Sequence, residues 1–309
     1  MASLRRAGHN VAPASRPFEV CADAPDGVLF AASYVDRDGR AVGFCIAAHA
    51  SDEAGLQAAR ETVNSWSAVW RTRRAVVAST SPACHDDERH GCHHLMTARA
   101  EMRVFAERGD QIVVVGQRGH PTLAALLDDL AADVVVIDSD DHISHQRLDP
   151  DRVSYVVQPG MLIEDAARVI ATLRALYPRV RGAHPDGLCY AASDRAATIS
   201  AVAASCDATF ILGEVTHPDI LSPFRLAAAE ETQVHVIDDI AQIRPAWIAG
   251  AASIGIVPTT SASPSLEHDL LDLLSGLGPL SIARRRLTTD VLTSWHGHCV
   301  TTPLSQCIE

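Results

Sequence analysis

The sequence predicts an α/β protein: three small parallel-sheet α/β units arranged pseudo-threefold around a central site, the first unit truncated and preceded by a β-hairpin. Three observations carry that expectation. Apolar, β-branched runs alternate with helical runs, the pattern of parallel strands covered by helices. A block also recurs. Cys92, a helical run to Arg108, the strand Gln111–Val115, Gly116 and His120-Pro121 reappear 97 positions on as Cys189, a helical run, Ala208–Leu212, Gly213 and His217-Pro218. Each copy continues into a second strand closed by acids, Val134–Asp138 and Val234–Asp239. Finally, Cys45 repeats the order cysteine, helix, strand, but only 47 residues separate it from Cys92, which leaves no room for a second helix–strand pair.

In order along the chain, residues 1–17 are rich in Arg, Ala and Pro without periodicity and read as a mobile arm. Residues 18–91 form the shortened first unit. Gly27–Val35 and Arg40–Ala48 are apolar runs joined through Asp38-Gly39, a hairpin signal. Cys45 closes the second of these runs, ahead of a helix that Ser51, with Asp52 and Glu53, begins and that reaches about Trp70. Leu56, Ala59, Val63 and Trp66 form its inward stripe, and Ala75–Ala78 is the next strand. Residues 81–91 are a polar loop that delivers Cys92 to its helix.

Residues 92–188 are the second unit, with a helix over Leu123–Leu130, strands Val134–Ile137 and Val153–Val157, and a bridging helix Ile163–Leu176. Residues 189–280 are the third. Its helices are Ala191–Ala204, Leu226–Glu231, Ile243–Ala249 and His268–Ser275, and Ala252–Val257 is extended. Residues 281–309 are a tail without clear periodicity.

A net charge of −12 opposes a nucleic-acid surface or an anionic membrane. The amino terminus has no apolar core, so neither a signal peptide nor an anchor fits, and a cytoplasmic protein with reduced cysteines is expected. Eight cysteines in such a chain serve burial, catalysis or metal binding. Cys206, in a helix-to-strand turn, reads as a buried inert thiol.

In parallel units the chemistry gathers where strands finish and helices begin, because the helix amino ends there offer unpaired N–H groups. Cys92 and Cys189 open helices, and Cys45 stands before one. Three such thiolates without a regular fourth suit an iron–sulfur cube with one open iron. A three-cysteine zinc site with His93, His94 or His120 as fourth ligand competes, as does no metal at all.

Arg181–Ser193, with Asp186-Gly-Leu-Cys189-Tyr-Ala, resembles a segment of the 4-hydroxy-3-methylbut-2-enyl diphosphate reductase (LytB-type) family. Gly119-His120-Pro121, Val236-Ile-Asp-Asp239, Trp247 and the Thr260–Pro264 loop continue the likeness, which runs from Cys92 to about Leu280. The resemblance implies three α/β units around a [4Fe-4S] cluster held by Cys45, Cys92 and Cys189, with Cys21 and Cys84 as reserves for the first ligand. It also implies a ferredoxin or flavodoxin as electron donor, and His120 as a substrate-binding histidine.

Other family positions have changed. Thr122 stands where the family has its proton-delivering Glu, and Pro159-Gly160 follows Gln158 in place of a Thr-Thr pair. Glu214, His217 and Asp219 replace a Ser-Ser-Asn phosphate clasp, and Ala262, between Ser261 and Ser263, replaces a loop serine.

Each exchange removes a contact worth up to about 3 kcal/mol. The expected function is therefore a [4Fe-4S] oxidoreductase or lyase that dehydroxylates or dehydrates a small non-diphosphate substrate. His120 positions that substrate and His93 or His94 relays a proton. Thr122, Glu214, His217, Asp219, Thr260, Ser261 and Ser263 line its site. Two alternatives stand beside it: the diphosphate reductase with a rebuilt phosphate site, in which Ser222 and Arg225 take part, and a non-catalytic iron–sulfur sensor or partner protein.

Overall fold

The computed structural model describes residues 26–79, 92–128, 134–139, 143, 147–182, 187–217, 220–289, 292–293 and 299–300. The arm 1–17, Cys21, the loop with Cys84, and Asp219 lie outside the described residues. The elements in order are β1 (Gly27–Val35), β2 (Ala41–His49), α1 (Glu53–Ser67), β3 (Arg73–Ala78), α2 (His93–Glu107), β4 (Gln111–Val115), α3 (Pro121–Leu127) and β5 (Val134–Ile137). Then come β6 (Val153–Val157), α4 (Ile163–Leu176), β7 (Arg181–Gly182), α5 (Ala191–Ala203), β8 (Ala208–Leu212), α6 (Leu221–Ala228) and β9 (Gln233–Ile237). The last are α7 (Pro245–Ile248), β10 (Ser253–Pro258), α8 (Leu266–Gly276), β11 (Leu280–Arg285), β12 (Leu292–Thr293) and β13 (Cys299–Val300). No described helix is long and apolar enough to cross a membrane.

Small α/β units built on parallel strands, and a shortened first unit behind an antiparallel hairpin, are what the structure shows. The hairpin pairs β1 with β2, Ala31 opposite Cys45. The parallel strands fall into two sheets, of order β5-β4-β6-β7 and β11-β3-β10-β8-β9. The repeat is visible in that order: β5-β4-β6 and β9-β8-β10 are the same three-strand pattern. Gly116 N donates to Ile137 O, and Gly213 N donates to Ile237 O, each at 2.9 Å. The fourth place differs. Two-residue β7 lies beside β6, whereas six-residue β3, from the shortened unit, lies beside β10.

The chain divides into two compact units, residues 1–79 with 198–285, and 80–197 with 286–309. In the second unit the period of two sends Val113, Val115, Tyr155 and Val157 to one face, against α4, and Ile112, Val114 and Val156 to the other, against α2 and α3. In the first unit Val77, Phe210, Leu212 and Ile256 pack toward α8, and Val76, Ile211 and Val257 toward α5 and α6.

Several local expectations change. Asp52, not Ser51, caps α1, accepting from Gly55 N at 2.9 Å, and the helix stops at Ser67. The tail holds a strand missed by periodicity: β11 pairs in parallel with β3. Arg73 ends α1's neighbourhood by donating to the carbonyls of Val69, Leu277 and Ile248; burial, then Arg71, lowers its pKa to about 10. Cys206 is buried, which pushes its thiol pKa up.

His235 on β9 stacks on Trp247 at 4.2 Å with Phe210 at 5.4 Å, and burial lowers its pKa below the ordinary histidine value. The neutral ring is thus favoured by folding, so its contribution is whole above the unfolded pKa and is lost as pH falls from there through the lower folded value. Urea midpoints measured between about pH 7.5 and about pH 5.5 should fall for the native chain and fall less for His235→Phe. Parallel curves for the two would remove the assignment.

Candidate functional site

In the unit built on β4 and β6, two thiols stand at helix starts. Cys92 is the N-cap of α2, with no side-chain cap bond; its carbonyl accepts from Met96 N at 3.1 Å. Cys189 is buried and lies one residue before Tyr190, whose carbonyl accepts from Asp194 N at 2.9 Å in the first turn of α5. The first-turn amides of such helices lack intrahelical carbonyls, an environment that stabilises negative charge. The segment leading to Cys189 passes α2: a Cβ on Gly187 would stand 3.2 Å from Glu101 and 3.4 Å from Thr97.

His120 caps α3, and its Nδ1 accepts from Thr122 N at 3.1 Å, so in the neutral ring the proton sits on Nε2. Thr122 is buried. His93 and His94 occupy the first turn of α2 with ring centroids 5.8 Å apart. Sequence reasoning missed two groups here. Gln158, only 1% exposed, covers the strand-end Gly116 and accepts from Gln117 N at 2.8 Å through Oε1. Arg118 donates to Val136 O and pairs with Asp138 at 3.6 Å.

In the other unit the equivalent edge is built from hydroxyls. Gly213, at φ 149°, lies under Thr259 and Ser261, and a side chain there would run into both hydroxyls and Ile220. Thr259 Oγ1 donates to Leu212 O at 2.7 Å and lies 3.0 Å from Ser261 Oγ. Thr259 occupies in this unit the place Gln158 occupies in the other: Thr259 N donates to Leu212 O, and Gln158 N donates to Val115 O. The first polar residue after the third strand of each repeat was the signal for both.

Thr260 and Ser263 are exposed, while Ser261 is half-buried. Glu214 and His217 form an exposed turn, His217 N donating to Glu214 O and Thr216 Oγ1 to the Glu214 carboxylate.

Cys45 departs from the expected position. It lies in the middle of β2 with Ile46–His49 still to come, not at the end of a strand before a helix. Gly43, two residues earlier, has no room for a Cβ against the Ala32 carbonyl across the hairpin, so this part of the strand is tightly registered. Among the described residues no group of three His, Cys, Asp or Glu is placed to hold a metal ion. By donor chemistry, the thiols of Cys92 and Cys189 at two helix starts of this unit are of the kind that hold iron or zinc.

Two parallel sheets of matching strand order, with thiols at the starts of α2 and α5, define a repeat-built α/β protein. A model of the LytB protein family matches residues 88–275, more than half of the chain, and the chain belongs to that family. Among its relatives is the 4-hydroxy-3-methylbut-2-enyl diphosphate reductase of Marinobacter nauticus, 28% identical over 202 residues, which cover 63% of this chain and 64% of the relative. Reductase 1 of Mycobacterium tuberculosis is 25% identical over 202 residues, 65% of this chain and 61% of the relative. The chain thus spans less than two thirds of the length of these relatives. The E-1-hydroxy-2-methyl-but-2-enyl-4-diphosphate reductase of Plasmodium falciparum shares the fold at a TM-score of 0.51, with 13% identity over 69% of this chain and 71% of that one.

Gly213→Ala should cost about 1–3 kcal/mol in urea unfolding, from its positive φ and the hydroxyls over it. An unchanged midpoint would mean that the edge is not closed in this way.

Proposed function

We propose that this chain is an iron–sulfur reductase of the LytB type, with Cys45, Cys92 and Cys189 as cluster ligands and an allylic diphosphate-type alcohol as substrate. The observation that supports it best is the equivalent placement of Cys92 and Cys189 before α2 and α5 in a chain of this family. Bound there, a [4Fe-4S] cluster supplies electrons and an open iron for a substrate oxygen. The protein's own residues do the rest. His120, its Nδ1 committed to Thr122 N, presents Nε2–H to an anionic oxygen. A rebuilt phosphate-binding surface draws on Thr122, Ser222, Ser261 and Ser263 for hydroxyls and on Arg225 for a guanidinium. His93 or His94 relays a proton, since Thr122 has none to give at a useful pKa.

The balance is fixed by the chemistry: the carbon–oxygen bond breaks, oxygen leaves as water, and carbon takes a proton. Two electrons are drawn from a low-potential one-electron donor of the ferredoxin or flavodoxin kind.

A second reading, a substrate without a diphosphate, is favoured by one observation. Thr259 has a single hydroxyl proton and donates it to Leu212 O, so in its contact with Ser261 it must accept. Both hydroxyl protons are then committed. With the Glu214 carboxylate close by in sequence, these two serve a donor-bearing group better than a phosphate.

Anaerobic purification with iron and sulfide determination tests the cluster, and about four irons per chain are expected. Cys92→Ser and Cys189→Ser should lose most of that iron. Turnover with reduced viologen on 4-hydroxy-3-methylbut-2-enyl diphosphate, compared with the alcohol lacking its diphosphate, separates the two substrate readings. Anaerobic material without iron would end both.

A further inference from the structure

Helix α4 begins without a cap of its own: Leu162 occupies the N-cap and has no side-chain group to offer the first amides. The missing acceptor comes from another helix. Ser193, in the first turn of α5 and 9% exposed, accepts from Ile163 N at 3.0 Å and donates its hydroxyl proton to Glu164 at 2.8 Å. The hydroxyl therefore works in both directions, closing one helix start with the first turn of another. The next residue, Asp194, is tied on a second side, accepting from Thr289 N at 3.0 Å and from Thr289 Oγ1 at 2.7 Å. Gly187 lies against Thr97 and Glu101 of α2. Cys189 sits between Gly187 and Ser193, so the chain around it is held by three separate elements. The cap of α2, by contrast, is Cys92 itself, with no side-chain bond.

We propose that Ser193, with Glu164 as its acceptor, is a positioning residue for Cys189: it fixes the thiol in place before any ligand arrives. A bond that carries no ligand of its own thereby sets where one sulfur stands. Its use in holding a cluster rests on the functional reading above, but the positioning itself does not. Loss of the hydroxyl leaves the Ile163 amide and the Glu164 carboxylate without it, and the first turn of α5 opens more often.

The test uses the full-length chain freed of iron, with alkylation by iodoacetamide followed site by site in peptide mass spectra. Cys206, buried in the other unit, is the internal reference. Ser193→Ala should raise the rate at Cys189 about tenfold over that at Cys206, the factor expected when a net hydrogen bond of about 1.4 kcal/mol is lost from a local opening. Ser193→Thr should return it toward the native rate. An unchanged Cys189 rate, or a parallel rise at Cys206, would overturn the proposal, the second because it reports general loosening. After anaerobic reconstitution, Ser193→Ala should also bind less iron than Ser193→Thr. A chain that takes up no iron but shows the selective Cys189 response keeps the positioning role and discards the cluster.

Discussion

A strand with helices on both faces has no side on which a polar side chain can meet water. β4, β6, β8 and β10 are all in this position: Ile112–Val115, Val153–Val157, Ala208–Leu212 and Ile254–Val257 are buried. Such strands must place their chemistry at their ends. At the amino ends Asp110 takes the Ser154 hydroxyl at 2.6 Å, and Asp207 takes that of Ser253 at 2.8 Å. Both carboxyls are held below the ordinary range. For Asp110 burial acts the other way and is outweighed by the Ser154 bond and the charges of Arg108 and Arg181; for Asp207 the bonds from Ser253 dominate. The carboxyl ends are closed by glycines packed under Gln158 or Thr259. One end of each sheet is thus locked by ionised carboxylates.

The repeat explains why two cysteines have equivalent places in the order of elements and the third does not. Cys92 and Cys189 inherit the same place in the same order of helix, strand and glycine, 97 residues apart. The shortened unit of residues 18–91 was too short to build a parallel sheet of its own. Its strand β3 instead fills the position beside β10, where β7 offers only two residues beside β6 in the other sheet. What precedes β3 had to become something else. The hairpin covers α1, with Tyr34 donating to Ser275 O and meeting Trp70 edge-on, and Cys45 lies within its second strand.

Much of this was legible in the residues. The strands β4, β5, β6, β8 and β9, the hairpin, and the helix starts at Cys92 and Cys189 follow from apolar runs and from a period that repeats. β11 was not legible, because Leu280–Arg285 is an edge strand with most side chains exposed and three charges nearby, so neither alternation nor apolarity marks it. The Ser193 bond was hidden for another reason: a serine that caps a helix thirty residues away leaves no local pattern. Gln158 and Thr259 were readable in principle, as the first polar residue after each third strand, but only once the repeat was carried past its first half.

The two carboxyl edges have diverged in a way that bears on what each can bind. The Gln158 side chain spends its oxygen on Gln117 N, and Arg118 and His120 stand close by in sequence, so that edge carries donors, with the Arg118 charge paired to Asp138. The Gly213 edge has spent its Thr259 and Ser261 protons internally and is followed by Glu214, and Asp238 and Asp239 follow β9 as Asp138 follows β5. An anionic group is better served at the first edge and a donor-bearing group at the second. The diphosphate named for the relatives would need the second edge to surrender the Thr259 bond to Leu212 O. That reversal would leave the Leu212 carbonyl with the Thr259 amide as its remaining donor, at a cost of about 0.5–1.5 kcal/mol unless the ligand offset it. The same fold can therefore keep its thiols and its strand order while the direction of two hydroxyl protons changes what one strand end can donate or accept.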